Sequence, residues 1–240
     1  MTEWTNSHHL SLTVTREGLT FPVSMGVSSL SLSALQLEIH RFLHPEERTA
    51  LTGIAQHDYL LGRHAAKLAA FNFTGVAPAG IRIRPGVFGQ PVLTCPGHSN
   101  VQVSIAHSGG SAMAVVFPES HPMAVDIEVL DADRFLPPLS PAESLLIASL
   151  PHTPEEQQFL LWTAREALSK VLRTGFTTDL ELFNVKSVAV NGDFVISTFV
   201  HFLQYKAVSW IAGNMACSLV LPERSQVDIA ALQTLTSRVS

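Results

Sequence analysis

Asp126 and Glu128 stand two apart in Ala124-Val125-Asp126-Ile127-Glu128. On a strand this spacing turns both carboxylates to one face, while Val125 and Ile127 enter the core. Two like charges so close repel each other and are costly to desolvate without a counter-ion. A magnesium ion can take their oxygens together with phosphate and water. An isolated pair of this kind is also found on ordinary solvated strand faces, so the motif alone does not decide between the two.

Trp162, Glu166 and Lys170 follow one another at i, i+4 and form one helical stripe carrying an aromatic ring, an acid and a base. The plain alternative is a Glu–Lys surface pair with Trp162 anchoring the core. Phe159, Leu160, Leu161, Leu168 and Val171 already supply abundant burial. The acid and base are therefore expected at the border of a cleft.

The chain that must position these groups has 240 residues, 46% of them hydrophobic and 15% charged, enough for a sizeable core without staples. No apolar run approaches the roughly 20 residues of a spanning helix, so no membrane segment is expected. Met1-Thr2-Glu3-Trp4 lacks the basic start and apolar stretch of a secretory signal. Cys95 and Cys217 are far apart with no partner at metal-ligand spacing, which predicts neither disulfide nor zinc and fits a reduced, cytoplasmic protein. A net charge of -5 argues against a dedicated nucleic-acid binder. The 11 histidines are read mostly as surface or hydrogen-bonded groups.

Leu10 to Thr15 alternates as a half-buried strand does. From His44 to Phe71, acidic first-turn residues and the apolar positions Leu51, Ile54, Leu60, Leu61, Ala65, Leu68 and Ala69 predict one long helix or two consecutive ones, weakened at Gly53 and Gly62. Ile81–Arg84, Val101–Ala106, Met113–Phe117 and Met123–Glu128 read as strands. Ser140-Pro141-Ala142-Glu143 and Thr153-Pro154-Glu155-Glu156 each supply a capping box with proline at the first helical position. The second of these helices is expected to reach Thr174, with Gly175 as its left-handed cap. Four strands follow, Val185–Val190, Phe194–Phe199, Ala207–Ile211 and Met215–Leu221, with Asn191-Gly192 as a hairpin turn. The order predicts an α+β protein of two similar subdomains, residues 1–119 and 120–240, with a cleft between them.

With these elements in place, the sequence resembles the surfactin-type phosphopantetheinyl transferases. That family carries a G-x-D-x-E strand and a W-[ST]-x-K-E-A-x-x-K helix, matched here by Ala124–Glu128 and by Trp162-Thr163-Ala164-Arg165-Glu166-Ala167-Leu168-Ser169-Lys170. Phe88-Gly89-Gln90-Pro91 is similar to its G-K-P segment, Ser104-Ile105-Ala106-His107-Ser108 to its S-x-S-H-S, and Gly62-Arg63-His64-Ala65-Ala66-Lys67 to its G-R-x-A-A-K helix. Five segments in family order carry the likeness further than any one of them. Gln90, Ala106, Ala124 and Arg165 stand where the family has lysine, serine, glycine and lysine. The first two remove a charge and a hydroxyl from the expected nucleotide wall.

The resemblance implies a pseudo-twofold α+β monomer with coenzyme A between its halves: the N-terminal one contributes to coenzyme A binding and the C-terminal one holds the metal and catalytic residues. It implies transfer of the 4'-phosphopantetheine arm from coenzyme A to a serine of an apo acyl or peptidyl carrier protein, releasing 3',5'-ADP. Asp126, Glu128 and Glu166 are then the ligands of Mg2+, and an all-oxygen site also admits Mn2+. Glu166 would accept the serine proton and Lys170 would hold phosphate or the leaving group. His107 is expected on a coenzyme A phosphate, Arg63 and Lys67 on the 3'-phosphate, Gln90 on the nucleotide wall, and Arg165 beside phosphate. Surface placement for Arg63 and Lys67, and a buried imidazole for His107, stay open. Phe135-Leu136-Pro137-Pro138-Leu139 is a candidate apolar docking loop for the carrier, or packs on the core. Two other readings remain: a degenerate member that binds coenzyme A or a carrier without transfer, and a metal-dependent phosphodiesterase or nuclease, for which the basic track is missing.

Overall fold

Alternation, turn chemistry and caps lay out the elements. The computed structural model describes residues 7–49, 51 and 56–236. Gly53 and Ile54 of the expected helix, and Met1 to Trp4, lie outside the described residues. The chain runs through β1 (Ser7–Arg16), β2 (Leu19–Ser28), α1 (Leu32–Leu37), α2 (Ile39–Phe42), α3 (Pro45–Thr49) and α4 (Gln56–Thr74). Two hairpins follow, β3 (Arg82–Pro85) with β4 (Pro91–Thr94) and β5 (Val101–Ser108) with β6 (Ser111–Pro118). Then come β7 (Ala124–Val129), α5 (Pro141–Ile147), α6 (Pro154–Leu172), β8 (Val185–Asn191), β9 (Phe194–Phe199), β10 (Tyr205–Ala212), β11 (Met215–Pro222), β12 (Gln226–Val227) and α7 (Ile229–Thr236).

The fold is α+β, with two antiparallel five-stranded sheets, β12-β1-β2-β6-β5 and β7-β11-β10-β9-β8. Both contain one pattern: a strand, a 19-residue helix, two hairpin-paired strands, and a last hairpin whose second strand returns to pair with the first. In the first unit this is β2, α4, β3, β4, β5, β6; in the second it is β7, α6, β8, β9, β10, β11. In the first unit β3 and β4 form a separate ribbon. The chain's last strand, β12, returns to the first sheet beside β1.

The inner faces of the two sheets bury Leu12, Val23, Met25 and Val115 from one side, and Val125, Ile127, Trp210 and Leu219 from the other, in one apolar layer. Helix α4 covers the outer face of the first sheet and α6 the outer face of the second. On the first, Gly26 of β2 allows the close approach of α4: a Cβ there would press on the Ala65 carbonyl oxygen and lie 3.0 Å from the Ala69 nitrogen. Both expected capping boxes form, at Ser140 with Glu143 and at Thr153 with Glu156.

Helix α6 ends earlier than its sequence suggests. Its cap is Arg173, left-handed at φ 57 and ψ 29, and Gly175 takes a positive φ in the turn beyond.

Strands β5 and β7 are the edges at which the two sheets meet. The Ser104 and Ser108 hydroxyls of β5 accept from the Val125 and Val129 N–H groups of β7, 3.3 and 3.1 Å away, so these edge donors are satisfied by side chains.

Candidate active site

Because Val125 and Ile127 face the inter-sheet layer, Asp126 and Glu128 point outward at α6. The helix brings Glu166 over them, and oxygens of all three carboxylates lie within 4.8 Å of one another. Its footing is a buried hydroxyl chain: Thr163 meets Ser218 at 2.7 Å and Ser218 meets Ser209 at 2.7 Å. Ser218 is the cross-strand neighbour of Asp126.

Two cations partly offset the cluster. Lys170 Nζ donates to Asp126 Oδ1 at 2.6 Å, and at 3.4 Å to the carbonyls of Ile105 and Val125, spanning the seam between β5 and β7. Arg134 grips Glu128 with both terminal nitrogens, Nη2 to Oε1 at 2.6 Å, and Ser108 donates to Glu128 Oε2 at 2.7 Å. Asp126 Oδ2 is buried and has no hydrogen-bond partner. Burial pushes the Glu166 carboxyl from its ordinary 4.5 up to about 7; repulsion from Asp126 adds to this and Lys170 opposes it. Burial likewise raises the Asp126 carboxyl, against the pull of Lys170.

Three clustered oxygen donors, one of them orphaned, fit a hard divalent cation of the magnesium or manganese kind. The arrangement can hold such an ion beside a phosphate ligand; without the ion, Glu166 exchanges its proton near neutrality.

A cleft of about 920 Å3 opens beside Lys170. It runs along the last turn of α6 through Arg173 to Thr177, between β5 and the Phe88–Pro91 loop, with Phe117 and Met123 among its apolar walls. Gln90 lines it and braces its own loop, accepting from the Phe88 N–H at 2.9 Å.

The structure thus brings Asp126, Glu128, Glu166 and Lys170 together, with Gln90 at the far wall of the cleft. It does not bring the other expected ligand groups there. Lys67 is fully buried, paired with Glu47 and donating to the Ile81 carbonyl. Arg63 pairs with the same Glu47 at 3.1 Å and lies over the Tyr59 ring. Arg165 is buried, held by Glu143 and by Asn184 Oδ1 at 2.9 Å. These three bases are structural cations, because buried carboxylates claim them first. His107 is exposed on β5, outside the residues lining the cleft. Trp162 packs against Phe176 at 5.1 Å, which fixes the turn after α6.

Sequence reasoning missed Arg134, Ser108 and Arg173. For Arg134 a signal existed: it is the only lysine or arginine between β7 and α6. Arg173 was hidden by the expectation that the helix runs on to Thr174.

Comparison with known families bears directly on this cluster. Residues 122–220 match the 4'-phosphopantetheinyl transferase superfamily. That span takes in β7, α6 and nearly all of β11, hence all three carboxylates, both of their cationic partners and Arg173. Phosphopantetheinyl transferases use coenzyme A as substrate and typically a divalent metal, in keeping with the donor set. No curated protein matches the chain. Among the described residues no helix is long and apolar enough to cross a membrane.

Proposed function

We propose that this protein is a holo-carrier-protein synthase of the surfactin type, transferring the 4'-phosphopantetheine arm of coenzyme A to a serine of an apo acyl or peptidyl carrier protein. The observation that carries the reading is the cluster Asp126, Glu128 and Glu166 with Lys170, which pairs with Asp126 and also lines a cleft large enough for a nucleotide. The serine oxygen bonds to the phosphorus bearing pantetheine, the phosphoanhydride bond breaks, and 3',5'-ADP departs with the bonding pair. Asp126, Glu128 and Glu166 would hold magnesium, whose charge, when bound, stabilises the phosphoryl oxygens. Glu166, the carboxylate that α6 brings over Asp126 and Glu128, accepts the serine proton. Lys170, already on Asp126, stands at the mouth of the cleft for the diphosphate. Phe135 and Leu145, 86% and 79% exposed, offer apolar surface to the carrier, while Leu139 packs on the core under α6.

Intact mass spectrometry of an apo carrier protein incubated with this chain, coenzyme A and magnesium tests the reading. The expected result is a gain of one phosphopantetheine, lost with a chelator and with Asp126→Asn. No gain with carriers of several kinds, from folded protein that binds coenzyme A, would sink it in favour of binding without transfer.

A further inference from the structure

Two basic side chains line the cleft, and they differ in what already holds them. Lys170 directs its donors at Asp126 and at the Ile105 and Val125 carbonyls, so its place is fixed by the seam and the carboxylates. The Arg173 side chain makes one hydrogen bond, to the neutral amide oxygen Gln102 Oε1 at 3.1 Å, and the residue is exposed and lines the cleft. It also holds a left-handed backbone at φ 57, a conformation that costs a residue other than glycine about 1–2 kcal/mol. That posture projects a guanidinium from the end of the helix beside a second cation three residues back, an arrangement that an anion relieves.

Position along the cleft separates the two. Lys170 sits against the carboxylates, where the diphosphate of the proposed substrate belongs. Arg173 is three residues farther along α6, roughly 4.5 Å of helical rise, toward Gln102 and the Phe88–Pro91 loop. A ligand meeting both carries a second anionic group set apart from its diphosphate. Coenzyme A has one, the ribose 3'-phosphate. Arg63 and Lys67 are sequestered on Glu47 and are not available for that phosphate.

We propose that Arg173 is the residue that recognises the 3'-phosphate and sets the preference for coenzyme A over 3'-dephospho-coenzyme A. The assignment rests on the functional reading above. The guanidinium offers a planar pair of N–H donors that a phosphate takes bidentately, at the exchange of one neutral hydrogen bond to Gln102.

Isothermal titration calorimetry of the full chain with each nucleotide, in magnesium, tests it. The wild type is expected to bind coenzyme A about 10- to 100-fold more tightly than the dephospho form, the span of one charge-assisted contact. Arg173→Ala and Arg173→Gly are expected to erase that difference by weakening coenzyme A alone. The glycine variant suits the left-handed position, so its loss cannot be laid to a strained fold. Equal weakening of both nucleotides, or none, overturns the assignment. If the wild type binds neither, the coenzyme A reading itself fails and takes this one with it, an outcome distinct from failure at Arg173 alone.

Discussion

Glu166→Gln should make the metal-free protein more stable while destroying its use of metal. Burial and Asp126 hold the Glu166 carboxyl at about 7 against an ordinary 4.5. Between those values the folded protein keeps a proton that the unfolded chain has released, so stability is greatest at the acid end and falls as pH rises through 7. At about 1.4 kcal/mol for each tenfold in proton affinity, the ionised carboxylate costs about 3 kcal/mol at pH 8. Glutamine fills nearly the same volume and never ionises. In a chain of this size the variant should therefore melt roughly 6–12 °C higher than wild type at pH 8 in chelator, and about level with it at pH 5. Magnesium at pH 8 should raise the wild-type midpoint and leave the variant's almost unmoved, because one of three ligands is gone. Circular-dichroism melts at the two pH values, each with chelator and with magnesium, read all of this. A variant no more stable than wild type at pH 8, or stabilised equally at pH 5, would refute the electrostatic account of the cluster.

Two further substitutions separate the roles of the nearby cations. Arg134→Gln removes the guanidinium that occupies both Glu128 oxygens, so calorimetry should find magnesium bound about 3- to 10-fold more tightly and the metal-free melt lowered; weaker magnesium binding would mean that Arg134 supports the ion instead of competing with it. Glu143→Ala leaves Arg165 buried without its carboxylate and unties the Val185 N–H, so urea unfolding should show a loss of about 3–5 kcal/mol, whereas a loss under 1 kcal/mol would return Arg165 to the candidates for phosphate binding.

What the sequence made legible was whatever a local rule governs. The 3.6-residue stripe of α6 and both capping boxes stand where periodicity and cap chemistry put them, while the β8–β9 turn falls one residue beyond the expected Asn191-Gly192: Asn191 still pairs with Phe194, and Gly192-Asp193 make the loop. Strand β2 escaped notice because Pro22 and Gly26 interrupt it and its last six residues are all buried, which leaves no alternation to read. The ligand set failed for a different reason. An i, i+4 pair of bases looks the same whether it faces water or a buried acid, and Glu47, which captures Arg63 and Lys67, comes from the separate short helix α3. Arg165 is a similar case: in the sequence its partner Glu143 shows only as half of a capping box, yet in the structure it also accepts from Arg165 and from the Val185 N–H.

The two repeated units show why the carboxylates can be tolerated. In each, the outward face of the first strand meets a 19-residue helix. In the first unit that contact is closed: Gly26 admits the backbone of α4, and Ser28 meets His64 at 2.9 Å two residues along. In the second, the strand presents Asp126 and Glu128 at the same two-residue spacing, and α6 answers with Glu166 and Lys170 instead of close packing. The ionic gap is held open by contacts outside it: the Thr163–Ser218–Ser209 hydroxyls below, the Glu143–Arg165 pair behind, and the seam to β5 at the side. A strand–helix contact that would gain stability by losing its charges persists in one unit because its surroundings over-determine it, as expected where strain serves a site. Its apolar counterpart in the other unit carries the packing that the charged contact gives up.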